Sequence, residues 1–267
     1  MVRPKRSRPA ASEFSPLWDP DFPAVFRRGT WAERGEREHG RPRLGRPPEL
    51  DAERIVATAI TLADRDGLAG ATLSKVAAAL GVTPMSLYRH IRSRDGLTDR
   101  MADTAFGLPP DTDPDWRRAL HAWADAQLAV YTRHPWVAQI PISGPPRGFN
   151  ALAWMDAGLA ALRSTGLNWG AKIGVITVVG GYVRQAFVTG RNLAERRLVE
   201  QFDEATALQV YQQEVTAQLD PGRFPEIEQL FADQAFADVP PDQESAAADF
   251  RFGLDLILDG VDSAISR

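Results

Sequence analysis

Apolar and polar residues follow the period of an α-helix over most of this chain. The pattern begins near Leu50. Asp51 occupies the N-cap position of a first helix, and Gly67 ends that helix. Beyond Pro109 and Pro110 the helical segments become longer. No segment alternates with a period of two for long enough to form a strand. The pattern therefore predicts an all-α protein.

Four short helices are predicted before residue 107, and each begins after a side chain typical of an N-cap. These caps are Asp51, Thr72, Thr83 and Ser93. Gly81 ends the second helix, and Pro84 opens the third at a position where a missing N–H costs nothing. We expect the third helix to run through Ile91 and the fourth to span 93–106.

Longer helices are predicted in the rest of the chain. Their expected ranges are 113–134, 136–140, 149–162, 168–189, 193–219, 224–236 and 248–265. The segments 168–189 and 248–265 are apolar on nearly all sides, and for 168–189 this predicts that both sides are covered. Such helices fit a four-helix interface between two chains, with a buried helix inside a monomer as the alternative.

Residues 1–47 differ from the rest of the chain. They contain seven prolines, many arginines and glycines, and no persistent apolar period. This composition predicts a flexible basic arm. Its arginines could enter a minor groove, and a solvated tail is the alternative. We expect three parts: the arm 1–47, a unit 48–107 and a larger helical unit 108–267.

Composition and charge narrow the function classes. The 267 residues include no cysteine, which excludes disulfides, thiolate metal sites and cysteine catalysis. There is no run of 18 apolar residues and no secretory signal, so we predict a cytoplasmic protein without a membrane span. Residues 1–100 carry 18 basic and 13 acidic side chains, whereas residues 101–267 carry 13 and 22. This asymmetry suggests that the front of the chain meets a polyanion.

Motifs of the common enzyme classes are absent from the sequence. There is no nucleophile elbow, no phosphate-binding loop, no HExxH and no HxxxH pair. We therefore predict that the protein is not an enzyme and that it has no cofactor, no metal ion and no catalytic residues.

The segment 72–91 carries the most informative chemistry. Two short helices joined by a glycine turn are typical of a helix-turn-helix unit. The second helix is expected to present small and hydrogen-bonding side chains, as major-groove reading requires. On spacing alone, a helical scaffold without DNA is an equal alternative, because short helices joined by glycine turns occur in many proteins.

Residues 50–106 resemble the N-terminal domain of the TetR family of transcriptional regulators. The resemblance is carried by residues 55–68, 72–82, 86–91 and 94–97, and the Leu-Tyr-x-His step at 87–90 is its specific part. Residues 223–225 and 252–260 resemble a tetracycline-repressor-type C-terminal domain more loosely. The resemblance implies a helix-turn-helix DNA-binding domain followed by a helical ligand-binding and dimerisation domain.

The resemblance also implies roles for individual residues. The side chains expected to contact DNA are Thr72, Lys75, Thr83, Pro84, Met85, Ser86, Tyr88, His90 and Arg94. Lys75, Thr72 and Arg94 would contact phosphates, and His90 would support a backbone contact. Many relatives have a polar residue in place of Pro84 or an arginine in place of Ser74. The chain thus has few long base-reading side chains, and we expect methyl and shape readout.

The second unit is rich in aromatic residues that could line a cavity for an apolar ligand. The candidates for effector contact are Met101, Phe106, Trp116, His121, Trp123, Gln127, Trp154 and Arg184. Plain core packing is the alternative for each aromatic side chain, and a helix-surface position is the alternative for His121.

Together these features predict a ligand-responsive regulator, most simply a repressor. It would bind a palindromic double-stranded DNA operator as a homodimer, through helices near 168–189 and 248–265, and a small apolar or aromatic effector would release it. A regulator without an effector, and an activator, are the alternatives.

Overall fold

The computed structural model describes residues 50–266, apart from 92, 221 and 234–241, and these residues form helices without a strand. The α-helices are α1 (Ala52–Asp66), α2 (Leu73–Leu80), α3 (Pro84–Leu87), α4 (Arg94–Phe106), α5 (Trp116–Arg133), α6 (Phe149–Ala161), α7 (Trp169–Glu200), α8 (Glu204–Gln218), α9 (Pro225–Ala232) and α10 (Asp242–Ile265). Short 3₁₀ helices lie at Leu68–Gly70, Pro135–Gln139 and Arg163–Thr165. The all-α prediction is confirmed for this part of the chain, and the predicted arm 1–47 lies outside it.

Side-chain caps set the starts of three of the four short helices. The predicted cap at Thr83 was wrong, because its side chain makes no capping hydrogen bond to α3. Asp51 accepts a hydrogen bond from the Arg54 N–H at 2.7 Å, and Ser93 accepts one from the Gly96 N–H at 3.0 Å. Thr72 accepts one from the Lys75 N–H at 3.3 Å. These bonds satisfy N–H groups that have no partner inside the helix.

The third helix is shorter than expected. It covers Pro84–Leu87 and does not extend through Ile91 as a helix. The N–H groups of His90 and Ile91 both donate to the Leu87 carbonyl, at 2.9 and 2.8 Å. Because bonds of i→i−3 and i→i−4 spacing meet at one acceptor, the chain tightens into turns after Leu87.

One apolar core joins the helices. α1 packs against α2 and α4, while α5 packs against α6 and α7, and α7 packs against α10. Buried residues run from Ile55 on α1 through Met101 on α4 to Val261 on α10 in a single cluster. Because this core continues across residue 107, the division of the chain into two units there stays a prediction, although α4 ends at Phe106.

The prediction of one polar helix over 193–219 was wrong. α7 continues to Glu200, supported by i,i+4 ion pairs such as Arg196–Glu200 at 2.8 Å. Gln201 then adopts the left-handed conformation with φ 57°, and Asp203 caps α8 through the Thr206 N–H at 2.7 Å. A left-handed residue followed by a new N-cap ends one helix and starts another.

The last two predicted helices also differ in their bounds. α9 is shorter than the expected 224–236, and α10 begins at Asp242, six residues before the expected start. Of α7, only one side is covered within a single chain: Ile176, Val179 and Val183 are buried, whereas Trp169 and Val178 are exposed. The expectation that both sides of 168–189 are covered therefore fails for one chain.

By length and composition alone, α7 could cross a membrane. It packs against α5, α6 and α10, however, and Lys172 and Arg184 lie within its apolar stretch. Charged side chains are costly inside a bilayer, so this helix fits protein packing better than lipid.

Candidate DNA-binding and effector sites

α2 and α3 form a helix-turn-helix unit whose geometry follows from its glycine. Gly81 adopts φ 69° and ψ 28°, the left-handed conformation that L side chains rarely take, so the chain turns sharply after α2. Val76 and Leu87 are fully buried and hold the two helices against α1. The unit thus keeps its apolar face inside and leaves the start of α3 toward solvent.

The exposed end of this unit carries most of the side chains expected to contact DNA. Met85 is 72% exposed and Tyr88 49% exposed, so both side chains are available to a partner. Thr83 and Pro84 are also exposed. The Thr83 and Ser86 hydroxyls share a hydrogen bond at 3.0 Å, so one polar pair lies beside Met85. Such a surface offers an apolar contact for a thymine methyl group and two hydroxyls for base edges.

The other residues expected to contact DNA differ in how freely their side chains could reach it. Arg94 is exposed in the first turn of α4. Lys75 is exposed too, but its Nζ donates to the Ala69 carbonyl at 3.2 Å, so a phosphate contact requires the ammonium to leave that carbonyl. Thr72 uses its hydroxyl as the cap of α2, and His90 is half-buried behind Tyr88. The nine predicted residues lie on α2 and at its N-cap, on α3 and its flanking turns, and in the first turn of α4, and their contact with DNA stays a prediction.

A second candidate site is an aromatic cluster formed by α4, α5, α6 and α7. Phe106 makes edge contacts with Tyr131 and Trp154, at 5.8 and 5.6 Å between ring centres. Trp123 lies 6.1 Å from Trp154 and donates its indole N–H to the Trp154 carbonyl at 3.0 Å. Phe187 stacks on Tyr131 at 5.7 Å. Burial raises the pKa of the Tyr131 phenol, which therefore stays protonated at neutral pH.

Two glycines make room for the Trp123 ring. A Cβ at Gly158 on α6 would lie 3.3 Å from Trp123 and 2.9 Å from the Ile176 side chain. A Cβ at Gly180 on α7 would lie 3.6 Å from Trp123 and 3.5 Å from Gln127 Oε1. Trp123 and Gln127 therefore lie together over α7.

Gln127 contributes the most unusual group of this cluster. The residue is 6% exposed, and its Nε2 is buried without a hydrogen-bond partner among the described residues. Native proteins pair nearly all buried polar atoms, so an orphaned amide donor calls for an explanation such as an absent ligand. A cavity of about 10 Å³, the size of one water molecule, lies where Trp123 meets Pro110 and Thr112, and Gln127 does not line it.

Several residues expected near an effector lie elsewhere. His121 faces α10, where its Nε2 lies 3.0 Å from Asp255 and its Nδ1 3.2 Å from Arg251. Arg184 uses its guanidinium on the Ala138 and Ile140 carbonyls, at 2.8 to 3.0 Å. Both side chains are thus engaged in joining helices or capping a turn, roles that the sequence pattern does not reveal.

Of the remaining candidates, Met101 is fully buried in the core of α4, and Trp116 is half-buried at the start of α5. The structure brings together Phe106, Trp123, Gln127 and Trp154. Phe187 is a member that the sequence interpretation missed, and its i+4 spacing from Val183 on one buried face was the available signal.

The cluster is connected to the DNA-binding unit through the end of α4. Asp103 accepts a hydrogen bond from the Ala151 N–H at 2.8 Å, and the Asn150 side chain donates to the Asp103 carbonyl at 2.9 Å. Trp154 donates its indole N–H to the Gly107 carbonyl at 2.9 Å. Asp103 thereby caps α6, whose own N-cap residue is a glycine without a side-chain cap.

An apolar groove runs between α7 and α10. It is lined by Gly174, Val175, Val178, Ile257, Gly260, Val261 and Ala264. Val178 is 55% exposed, and Phe252 and Leu256 are exposed farther along α10. Contiguous exposed apolar surface of this kind is typical of an interaction face.

Comparisons with known proteins agree with this architecture. Residues 55–101 match the model of the bacterial regulatory proteins of the tetR family, and residues 108–265 match that of the tetracyclin repressor-like C-terminal domain. A protein of Streptomyces coeruleorubidus named HTH-type transcriptional repressor DrrR1 is 35% identical over 233 residues, which cover 85% of this chain and 83% of that protein. An HTH-type transcriptional regulator of Saccharopolyspora erythraea is 33% identical over 51% of this chain and 59% of its own length.

Solved structures show the same fold. ActR from Streptomyces coelicolor in complex with actinorhodin has a TM-score of 0.67 at 22% identity, covering 82% of this chain and all of that one. Its apo form has a TM-score of 0.65 at 23% identity, with the same coverage. Matches to family models over most of the described helices, together with the relative in S. coeruleorubidus, establish the family. The chain therefore belongs to the TetR family and is a DNA-binding transcriptional repressor.

Proposed function

We propose that this repressor acts in the cytoplasm as a homodimer on a palindromic operator, and that a small aromatic or largely apolar effector releases it from DNA. The solved complexes of ActR with actinorhodin and with (S)-DNPA support the effector part, because a protein of this fold binds small molecules. The orphaned amide of Gln127 is the single observation that carries it.

The amide indicates what the effector must offer. A buried donor without a partner costs about 1–3 kcal/mol, and an acceptor oxygen on a ligand removes that cost. The neighbouring Trp123 ring offers a flat apolar wall, and the protonated Tyr131 phenol is a second donor nearby on α5. The site therefore fits a planar aromatic compound with a carbonyl or hydroxyl oxygen.

Effector binding requires the aromatic cluster to open. A drug-sized ligand needs a pocket of about 300–1,000 Å³, whereas the rings of the cluster pack directly on one another, at 5.6 to 6.1 Å between ring centres. Phe106 packs on Trp154 and Tyr131 and is also the last residue of α4. Displacement of Phe106 would therefore move α4, which carries the helix-turn-helix unit at its other end.

The groove between α7 and α10 supports the dimer. A second copy would cover Val178 and the glycines that line the groove, and two half-sites one helical turn apart require two recognition helices. We expect Val178→Asp to dissociate the dimer in sedimentation velocity, because it places an unpaired charge in the interface. Leu152→Asp, at an exposed apolar position on α6, is the matched control and should leave the dimer intact.

A regulator without an effector is the second candidate. The ring-on-ring packing of Phe106, Trp123 and Trp154 favours it, since a filled core needs no ligand. An activator built on the same DNA-binding unit is a further alternative, and reporter transcription with and without the protein distinguishes it from a repressor.

The effector proposal is tested with Gln127→Met. If the amide is retained for a ligand, the variant should be more stable than the wild type by about 1 kcal/mol, because methionine removes an unpaired donor at similar volume. Urea unfolding measures this. A destabilised variant would show that Gln127 is already satisfied in the free protein and would favour the second candidate.

Binding is then measured with two probes that differ by one oxygen, 9-fluorenone and fluorene, through quenching of tryptophan fluorescence. We expect the wild type to prefer the ketone and Gln127→Met to lose that preference. Equal affinity of the wild type for both probes would count against the hydrogen bond.

The operator proposal is tested on DNA from upstream of the gene, by fluorescence anisotropy at several salt concentrations. Tyr88→Ala should weaken binding with little change in the salt dependence, whereas Arg94→Ala should lower the salt slope by about one. Tyr211→Ala, at a tyrosine of similar exposure on α8, is the matched control. Binding that ignores Tyr88 and the DNA sequence would refute the proposed reading surface.

A further inference from the structure

We propose that Asp64 is a positioning residue, which fixes the angle of the DNA-binding unit against the rest of the chain. Asp64 lies in the last turn of α1 and is not one of the residues that α1 buries in the core. No DNA or effector contact is needed for this role, so the inference goes beyond the proposed function and concerns a single chain.

The geometry at Asp64 is specific. One carboxylate oxygen, Oδ1, lies 2.7 Å from His134 Nδ1 and 2.7 Å from Trp136 Nε1. An indole N–H can only donate, and a carboxylate has no proton to give, so Nδ1 of His134 is also the donor. Two donors from one segment thus converge on a single acceptor from α1.

The donors belong to the turn that follows α5. His134 ends α5, with its N–H donating to the Val130 carbonyl at 2.8 Å, and Trp136 is 1% exposed within the 3₁₀ helix Pro135–Gln139. The Trp136 ring is buried, so the direction in which its N–H donates is fixed by the packing of the turn. Asp64 is therefore matched to a rigid partner.

The same turn is held from the opposite side by α7. Arg184 donates to the Ala138 and Ile140 carbonyls at the end of the 3₁₀ helix. A continuous path of hydrogen bonds thus runs from Arg184 on α7 through the turn to Asp64 on α1. This path is separate from the Asp103 and Phe106 contacts at the end of α4.

α1 transmits the position of Asp64 to the helix-turn-helix unit. Ile55 and Val56 on the buried face of α1 belong to the same apolar core as Val76 and Leu87. Close-packed side chains move together, so a change in the position of α1 moves α2 and α3. The predicted consequence of losing Asp64 is a wider range of orientations of the unit, with the fold retained.

The absence of cysteine makes a direct test possible. Exposed Ala79 on α2 and exposed Ala122 on α5 are replaced by cysteine and spin-labelled. Labelled chains are mixed with an excess of unlabelled chains, so that pulsed dipolar spectroscopy measures the distance within one chain. The distance distribution reports the orientation of the unit, and thermal melting reports stability separately.

We expect Asp64→Ala to broaden and shift this distribution, and Asp64→Asn, which keeps an acceptor oxygen, to restore the narrow one. Asp66→Ala is the matched control: it removes a carboxylate from the same helix that is bonded to its neighbour Arg65. The control should leave the distribution unchanged. Identical distributions in Asp64→Ala and the wild type would overturn the proposal, as would equal broadening in the Asp66 control.

A second readout follows for operator DNA. If only about a tenth of the chains keep the competent orientation, the apparent Kd rises about tenfold. Loss of affinity in Asp64→Ala without a change in the distance distribution would mean that Asp64 acts by another route and would refute the positioning role. Failure of the wild type to bind DNA would count against the proposed operator, and not against Asp64.

Discussion

Gly148 offers a sharp test of the connection between α4 and α6. It occupies the N-cap position of α6, and the Asp103 carboxylate from α4 supplies the cap that a glycine lacks. A Cβ at position 148 would collide with the Asp103 carboxylate. Gly148→Ala should therefore expel Asp103 from the helix end and separate α4 from α6.

The expected cost can be worked from the bonds that are lost. Asp103 accepts from the Ala151 N–H at 2.8 Å and from the Asn150 N–H at 3.4 Å, and only the first is short. Removal of an N-cap costs about 0.5–2 kcal/mol. We expect Gly148→Ala to lower the free energy of unfolding by about 1–2 kcal/mol, which lowers Tm by about 2–8 °C for a chain of this size.

Urea unfolding followed by circular dichroism measures the effect in a double-mutant cycle. Asp103→Ala should cost about as much as Gly148→Ala, and the double variant should cost little more than either, because both remove the same cap. Gly144→Ala in the same loop is the control, since a Cβ there meets nothing within 4 Å. Additive costs, or a Gly148→Ala variant as stable as the control, would refute the reasoning.

Two further predictions concern α5 and α10. The Arg118 guanidinium holds the pKa of Asp113 below its ordinary value of 3.8. A lowered carboxyl pKa stabilises the folded state above that value and ceases to do so as the pH falls through the folded-state pKa. The stability difference between wild type and Asp113→Asn should thus be constant from about pH 5 to 8 and shrink below about pH 4, in urea titrations; a difference that grows in acid would contradict this. Gly253→Ala places a Cβ against the Tyr182 hydroxyl, so overpacking of about 1–3 kcal/mol outweighs a helix-propensity gain of about 1 kcal/mol. Thermal melting should show a net loss, whereas Gly190→Ala, with open space around it, should gain stability.

Local signals were sufficient to predict where α1, α2 and α4 begin and where the chain turns after α2. Asp51, Thr72 and Ser93 are caps because their side chains satisfy N–H groups a few residues away, and Gly81 turns the chain because its own backbone permits φ 69°. These effects depend on neighbours in sequence. The helix-turn-helix unit could therefore be located before any tertiary contact was known.

Long-range contacts determine what the sequence could not show. Arg184 and His121 had the chemistry of effector contacts, but carbonyls of a distant turn and carboxylate and guanidinium groups of α10 engage them. Gln127 lies in the aromatic cluster, yet its missing partner is visible only when the surrounding helices are placed. The break at Gln201 likewise depends on a left-handed conformation that glutamine rarely adopts.

The filled aromatic cluster has a consequence for rates. Since Trp154 packs against both Phe106 and Trp123, an effector can enter only during transient openings of the cluster. In a stopped-flow experiment the observed association rate would rise with effector concentration and then level off at the opening rate. The repressor would then respond to the duration of exposure as well as to concentration, and brief pulses of effector would leave the operator occupied.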